Sequence, residues 1–141
     1  RGDAPSLKLN AKLPSPKLDL VSCLDCHNLK STDHSIVGLK EKCVECHDES
    51  YGQLLIAWEQ QLLGNLNNLI LKIEEVRLNL KLAKKRTPED DLKRAEMLLA
   101  EAEAGYNLIY RGKGVHNIEF ADKIIELAAK ELKEVDEILQ R

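Results

Sequence analysis

The chain is organised around residues 23–47, which read CLDCHNLKSTDHSIVGLKEKCVECH. This stretch contains the pattern C-x-x-C-H twice, and the two copies use all four cysteines of the 141-residue chain. C-x-x-C-H is the attachment pattern of c-type haem, in which two thiols bond to the haem vinyl groups and the histidine ligates the iron. We therefore predict two covalently bound c-type haems. The predicted thioether and proximal-ligand residues are Cys23, Cys26 and His27 for the first haem and Cys43, Cys46 and His47 for the second.

Two C-x-x-C pairs separated by sixteen residues also fit a four-cysteine zinc site. Such a site needs no histidine after each pair, yet two of the four histidines occupy those two positions. The segment also lacks the glycine-rich turns and the strand pattern of a zinc ribbon. We therefore prefer the haem interpretation.

Composition favours an all-α fold, because leucine, lysine and glutamate dominate the chain. A formal charge of −3 argues against a nucleic-acid surface. No apolar run is long enough to span a membrane. Haem attachment to C-x-x-C-H takes place outside the cytoplasm in bacteria and archaea. We therefore expect a periplasmic or extracellular protein, mature after removal of a signal peptide.

We expect one structural domain with three parts. Residues 1–20 contain three prolines and form either an extended arm that packs leucines onto the bundle or another subunit, or a partly ordered tail. Residues 21–50 form the dihaem-binding segment, with short helical turns at each motif and a loop between them. Residues 51–141 form a helical bundle.

Apolar spacing in 51–141 predicts three antiparallel helices with coiled-coil-like packing. They span about 51–86, 88–112 and 117–140, and we expect Thr87 to cap the second helix, with Pro88 at its first position. The predicted inward residues are Leu55, Leu62, Leu66, Leu69, Ile73, Val76, Leu80 and Ala83, then Leu92, Ala95, Leu99, Ala102, Tyr106 and Ile109, then Ala121, Ile125, Ala128, Leu132, Val135 and Leu139.

The first helix carries further apolar residues away from this seam. They are Leu63, Ile70, Leu71, Leu78 and Leu82. Either the third helix covers them, or a second copy of the chain does. We favour the second alternative, a homodimer packed through this helix.

Two haems have four axial positions, and the chain has four histidines. With His27 and His47 as proximal ligands, His34 and His116 remain. His34 cannot easily reach the far face of its own haem, so we expect it to ligate the second haem or a haem of a partner. His116 follows a Gly-x-Gly loop and is assigned to the first haem. The single methionine, Met97, lies in the middle of a helix, so methionine ligation is not expected.

Residues 105–121, GYNLIYRGKGVHNIEFA, resemble the G-V-H-N-P-E-Y-A segment of the pentahaem ammonia-forming cytochrome c nitrite reductases and their multihaem relatives. In that family two consecutive C-x-x-C-H motifs precede long helices and then this histidine, an order similar to that found here from Cys23 onward. The resemblance implies that His116 ligates the haem held by Cys23, Cys26 and His27. It also implies that the long helices build a dimer interface.

The chain departs from that family where catalysis takes place. The catalytic haem of the family is bound by C-x-x-C-K, which does not occur in this sequence, and Ile118 replaces the usual proline. The histidine between the last two motifs of the family serves a haem without a counterpart here, which leaves the role of His34 open. The chain thus resembles the terminal electron-transfer portion of such an enzyme.

We expect a dihaem cytochrome that carries single electrons between redox partner proteins through bis-histidine, low-spin haems. Six-coordinate irons leave no position for a substrate, so we do not expect an enzyme. If His34 is not a ligand, the alternative is an open-iron haem enzyme or a gas-ligand sensor. A third alternative is a subunit of a haem-stacking conductive polymer.

Overall fold

The computed structural model describes the backbone of residues 36–140 and the side chains of that range from Leu39 onward, except His116. Within this range the chain forms four α-helices, one 3₁₀ turn and no strand. They are α1 (Ile36–Cys46), α2 (Glu49–Ala83), α3 (Glu89–Gly112), the 3₁₀ turn Val115–Asn117 and α4 (Ile118–Leu139). The predicted all-α class is confirmed. The described residues belong to two compact units, with the boundary between Gln61 and Leu62.

Residues 62–140 form a three-helix bundle from the second part of α2 together with α3 and α4. Their buried side chains make one apolar cluster to which all three helices contribute, with Ile73, Val76, Leu132 and Val135 among its least exposed members. Within the described range no polar or charged residue is buried. The hydrophobic effect therefore supplies the main stabilisation of this unit.

Polar pairs between the helices establish the helix directions. They are Arg77–Glu103 and Lys84–Glu96 between α2 and α3, Arg94–Glu134 between α3 and α4, and Asn65–Asp122 and Lys72–Asp136 between α2 and α4. Residue numbers that rise along α2 pair with numbers that fall along α3, so these two helices are antiparallel. Gly105 beside Ile124 and Arg94 beside Glu134 show the same for α3 and α4. The predicted antiparallel bundle is confirmed.

Most of the predicted inward residues are buried. The exceptions, which are half-buried, are Leu55, Leu92, Tyr106 and Ile125, and the last three pack against the apolar cluster. Within the three helices of the bundle, from Leu62 onward, the seam prediction missed four buried positions, namely Leu98, Gly105, Ile124 and Ile138. Each helix of the bundle contacts two others, so its buried stripe is wider than the two positions per heptad of a coiled coil.

The turn between α2 and α3 differs in detail from the prediction. The backbone N–H of Thr87 donates to the carbonyl of Ala83 at 3.1 Å, which ties Thr87 to the end of α2. Pro88, with φ −55° and ψ 149°, occupies the N-cap position, and no side chain caps the helix. The prediction of Thr87 as the cap is therefore wrong. The acidic first turn of α3 still matches the positive end of the helix dipole.

In the other unit, residues 36–61, the segment before the second cysteine motif is more regular than predicted. Instead of a loop followed by a short turn, it is an eleven-residue helix, α1, that ends at Cys46. The sequence of α1 contains no proline, and its single internal glycine costs only about 1 kcal/mol relative to alanine, so a continuous helix is allowed. The predicted arm at residues 1–20 lies outside the described residues.

None of the helices between residues 36 and 140 combines the length and the apolar character that a membrane crossing requires.

Candidate haem-attachment site

The second C-x-x-C-H motif lies at the end of α1. Cys43 and Cys46 are three residues apart on the last turn, a spacing that places two side chains on the same helix face. The backbone N–H of His47 donates to the carbonyl of Cys43 at 2.9 Å, which continues the helical hydrogen-bond pattern by one residue. Both thiols and the imidazole are thus carried by one turn of backbone.

Both cysteines are thiols, and Cys46 and His47 are exposed whereas Cys43 is half-buried. Thioether formation with a haem vinyl group requires a reduced, accessible sulfur, and iron ligation requires an imidazole next to the second thiol. The residues present therefore fit c-type haem attachment at Cys43, Cys46 and His47.

Asp48 lies between the motif and α2 and caps that helix. Its carboxylate accepts a hydrogen bond from the backbone N–H of Ser50 at 2.8 Å and another from the Ser50 hydroxyl. The side-chain hydrogen bond from Ser50, followed by the backbone one, holds the pKa of Asp48 below its ordinary value. A charged carboxylate at this position also matches the positive end of the helix dipole. The chain therefore enters α2 directly after His47.

The imidazole of His47 stacks on the phenol ring of Tyr51. The ring centroids are 4.0 Å apart, and the ring planes differ by 12°. Stacking covers one face of the imidazole, while the nitrogen lone pairs lie in the plane of the ring and are not blocked by a partner on its face. The contact therefore leaves the ring able to bind a metal through its edge.

Gly52 holds α1 against the first turns of α2. A Cβ atom at Gly52 would lie 2.8 Å from two side-chain carbons of Lys40 and 3.2 Å from Val44, so a larger residue there would require the Lys40 side chain to move. The Lys40 ammonium also forms a 3.3 Å ion pair with Glu49. The helix that carries the cysteines and the helix that carries Tyr51 thus form one packed pair.

The predicted distal ligand His116 lies in the 3₁₀ turn of the other unit, and its side chain lies outside the described residues. Gly114, two residues earlier, has φ +40°, and a Cβ atom there would lie 2.9 Å from Leu62 and 3.1 Å from Ala121. Asn117, on the other side, accepts a hydrogen bond from the N–H of Phe120 at 3.1 Å and caps α4. The backbone around His116 is therefore fixed on both sides. The Gly-x-Gly loop allows close packing within the bundle.

From the sequence, Tyr51 is expected to begin the first bundle helix and either to fill the core or to pack on a porphyrin edge, and no pattern considered there links it with His47. The pattern that would have found it is the four-residue spacing between the two rings, because side chains at that spacing are neighbours on a helical turn. The described residues contain no group of three or more histidine, cysteine, aspartate or glutamate side chains placed to hold a metal ion. The zinc alternative depends on the first cysteine pair, outside that range.

Of the eight predicted haem residues, the structure brings three together, namely Cys43, Cys46 and His47. For His116 it describes the backbone alone, and Cys23, Cys26, His27 and His34 lie outside the described residues. Compared with known proteins, the chain matches no protein-family model, no curated protein and no solved structure.

Proposed function

We propose that this protein is a dihaem c-type cytochrome that carries single electrons between redox partner proteins. The observation that supports the proposal is the turn at the end of α1, which carries two thiols and an adjacent imidazole in the order that haem attachment uses. The one-electron chemistry is supplied by the haem iron when it is bound. The protein attaches the cofactor, orients its ligands and excludes water.

In this proposal His27 and His47 are the proximal ligands, and His116 and His34 are the distal ones, with His34 serving the second haem or a haem of a partner. With four histidines for four axial positions, both irons would be six-coordinate. A six-coordinate iron offers no position to a substrate, so the proposed role is electron transfer and not catalysis. Haem attachment outside the cytoplasm makes a periplasmic or extracellular location part of the same proposal.

The mass of the intact protein tests haem attachment directly. Coexpressed with a c-type haem maturation system, the wild-type chain should gain the mass of two haems, and Cys43→Ser/Cys46→Ser should gain one. A Ser22→Ala variant, next to the first motif, is the matched control and should retain both. An unmodified wild-type mass, or bound zinc in place of haem, would contradict the proposal.

A homodimer through α2 is supported by leucines that the bundle does not cover. Leu71, Leu78 and Leu82 are 69%, 58% and 70% exposed, whereas Ile73 and Val76 of the same helix are fully buried. The seven- and four-residue spacing of the three leucines places them on one helix face, opposite the buried one. Leu63 is also exposed, whereas Ile70 packs against the apolar cluster, so the bundle covers only Ile70 among these five residues.

A two-fold axis near Leu78 would bring the Leu78 side chains of the two copies together at the centre of the contact.

Light scattering coupled to size exclusion tests this interface. Wild-type protein should elute as a dimer, and Leu78→Glu should elute as a monomer because two carboxylates then meet at the axis. Met97→Glu, at a 52% exposed apolar residue of α3, should remain a dimer. A monomeric wild type, or a dimer that survives Leu78→Glu, would exclude the interface.

A further inference from the structure

The stacked pair at the start of α2 points to a role for Tyr51 at the second haem. The phenol ring lies 4.0 Å from the imidazole of His47 with the planes 12° apart, close enough and parallel enough to restrict rotation of the imidazole. His47 is exposed, and Asp48 beside it is engaged in capping α2 through Ser50. Tyr51 is therefore the contact in the described part of the chain that sets the plane of this ring.

Tyr51 is itself held in place by its backbone. Its N–H donates to the carbonyl of Asp48 at 3.1 Å within the first turn of α2. The next residue, Gly52, is packed against the side chains of Lys40 and Val44 of α1. The stacking ring and the cysteine-bearing turn thus belong to the same packed pair of helices.

In this arrangement the two helices would orient different parts of the haem site. Cys43 and Cys46, on α1, would set the orientation of the porphyrin through two covalent bonds. Tyr51, on α2, sets the orientation of the imidazole. Because the two helices are packed together, the protein would fix the angle between the imidazole plane and a porphyrin bonded to these two cysteines. Groups that orient a metal ligand in this way commonly tune the metal as well.

We propose that Tyr51 is a positioning residue, which fixes the imidazole plane of His47 and so sets the electronic structure of the haem iron attached at Cys43 and Cys46. The inference rests on the proposed dihaem function. In a low-spin ferric haem, the orientation of the axial imidazole planes controls the splitting of the iron d orbitals, which the g values of the electron paramagnetic resonance spectrum report.

The test uses the full-length holoprotein and its ferric paramagnetic resonance spectrum, with the haem content of every variant measured by intact mass. Tyr51→Leu removes the stacking ring and should shift the largest g value of one of the two low-spin signals while the other stays unchanged. Tyr51→Phe keeps the ring and should reproduce the wild-type spectrum. Leu54→Ala, one turn further along α2 and 38% exposed, is the matched control and should also reproduce it.

Two haems together with a Tyr51→Leu spectrum identical to wild type would overturn the inference and leave the dihaem proposal intact. A Tyr51→Phe spectrum that shifts as the leucine variant does would also overturn it, because the hydroxyl group and not the stacked ring would then be responsible. A wild-type chain without haem would overturn both proposals. If Tyr51→Leu does not retain the second haem, Tyr51→Met, which keeps bulk without a planar ring, replaces it with the same two outcomes.

Discussion

The bundle of residues 62–140 buries twenty apolar residues, whereas Gly52 is the only buried residue between Leu39 and Gln61. Both stretches are helical, and α2 contributes residues to each. The difference shows that the helix content of a stretch alone does not indicate how much that stretch contributes to the stability of the fold. In the bundle the apolar side chains of three helices cover one another, and in the other unit two helices meet through a glycine and an ion pair.

This difference has a physical consequence for the segment with the cysteine motif. Helices without tertiary packing are only marginally stable in water at this length, so α1 needs support beyond its own hydrogen bonds. In the proposed holoprotein, two thioether bonds and an iron–histidine bond supply part of that support, because cofactor binding is coupled to folding. The bundle, by contrast, is explained by its amino acids alone.

The largest expected effect comes from removing the second haem. In Cys43→Ser/Cys46→Ser, amide hydrogen exchange at residues 36–61 should accelerate by roughly 100-fold, a loss of about 3 kcal/mol of local stability. The buried positions of the bundle should keep their wild-type exchange rates. If exchange accelerated equally in residues 36–61 and in the bundle, the stability of the bundle would also depend on this haem. The two stretches would then not differ in their dependence on the cofactor.

Ile73→Ala should be the most damaging single change in the bundle. Ile73 is fully buried, and truncation of such a side chain leaves a cavity that costs about 3 kcal/mol. Met97→Ala, at a half-exposed position of α3, should cost less than about 0.5 kcal/mol. Chemical denaturation of both variants measures the difference. Similar losses for the two would mean that the apolar cluster is not the main source of stability.

Gly114→Ala should destabilise the bundle by about 2 kcal/mol, because alanine at φ +40° is strained and its methyl group meets Leu62 and Ala121. The control is Gly112→Ala, where a Cβ atom would contact nothing within 4 Å. That substitution should change the unfolding free energy little. If His116 is the distal ligand, Gly114→Ala should also shift the reduction potential of one haem. An unchanged potential would show that the turn at Gly114 does not position a haem ligand.

The bundle should also respond to pH through Glu131, whose pKa is raised to about 7 by burial and by the charges of Glu101 and Glu134. The unfolded chain loses this proton near the ordinary value of 4.5, whereas the folded chain keeps it up to about 7. Stability from this group is therefore complete below about pH 4.5 and is lost as the pH rises toward 7.

Glu131→Gln should remove this dependence. Because the side chain is partly solvated, the expected gain at pH 8 is about 1 kcal/mol, with no gain at pH 4. Denaturation curves at the two pH values measure it. A gain of equal size at both would show that charge is not the cause.

The smallest effects compare two glycines of α2, one in each unit. Gly64→Ala should stabilise by about 0.5–1 kcal/mol, because a Cβ atom there meets nothing within 4 Å and alanine favours the helix. Gly52→Ala should instead destabilise by a similar amount. Its methyl group would lie 2.8 Å from side-chain carbons of Lys40, and this crowding should outweigh the higher helix propensity of alanine. Melting temperatures that rise for both variants would show that α1 is not packed closely on α2.

The bundle was largely predictable, because the apolar spacing of its helices carries the information. Leu69, Ile73 and Val76 face inward as the spacing indicates. Leu98 and Ile124 were missed because a coiled-coil seam assumes that each helix packs against one other helix. In the bundle each helix packs against two, so more of its surface is buried. The exposed Leu71 and Leu82 were recognised as surplus, and the described chain does not cover them.

The candidate site was predictable in its chemistry and less so in its surroundings. The C-x-x-C-H pattern names Cys43, Cys46 and His47 without any structure. The stack of Tyr51 on His47 depends on how α1 ends and α2 begins, and the capping of α2 by Asp48 determines that geometry. Packing at Gly52 was not predictable, since the sequence does not show which of the two glycines of α2 lies against a neighbouring helix.

The most direct test of two six-coordinate haems is an optical spectrum of the dithionite-reduced protein before and after addition of carbon monoxide. We predict a Soret band, narrow reduced α bands and no change with carbon monoxide, because histidine occupies every axial position. A spectrum that shifts with carbon monoxide would reveal an open iron, remove His34 or His116 as a ligand, and favour a haem enzyme or a gas sensor. A protein without a Soret band would contradict the account entirely.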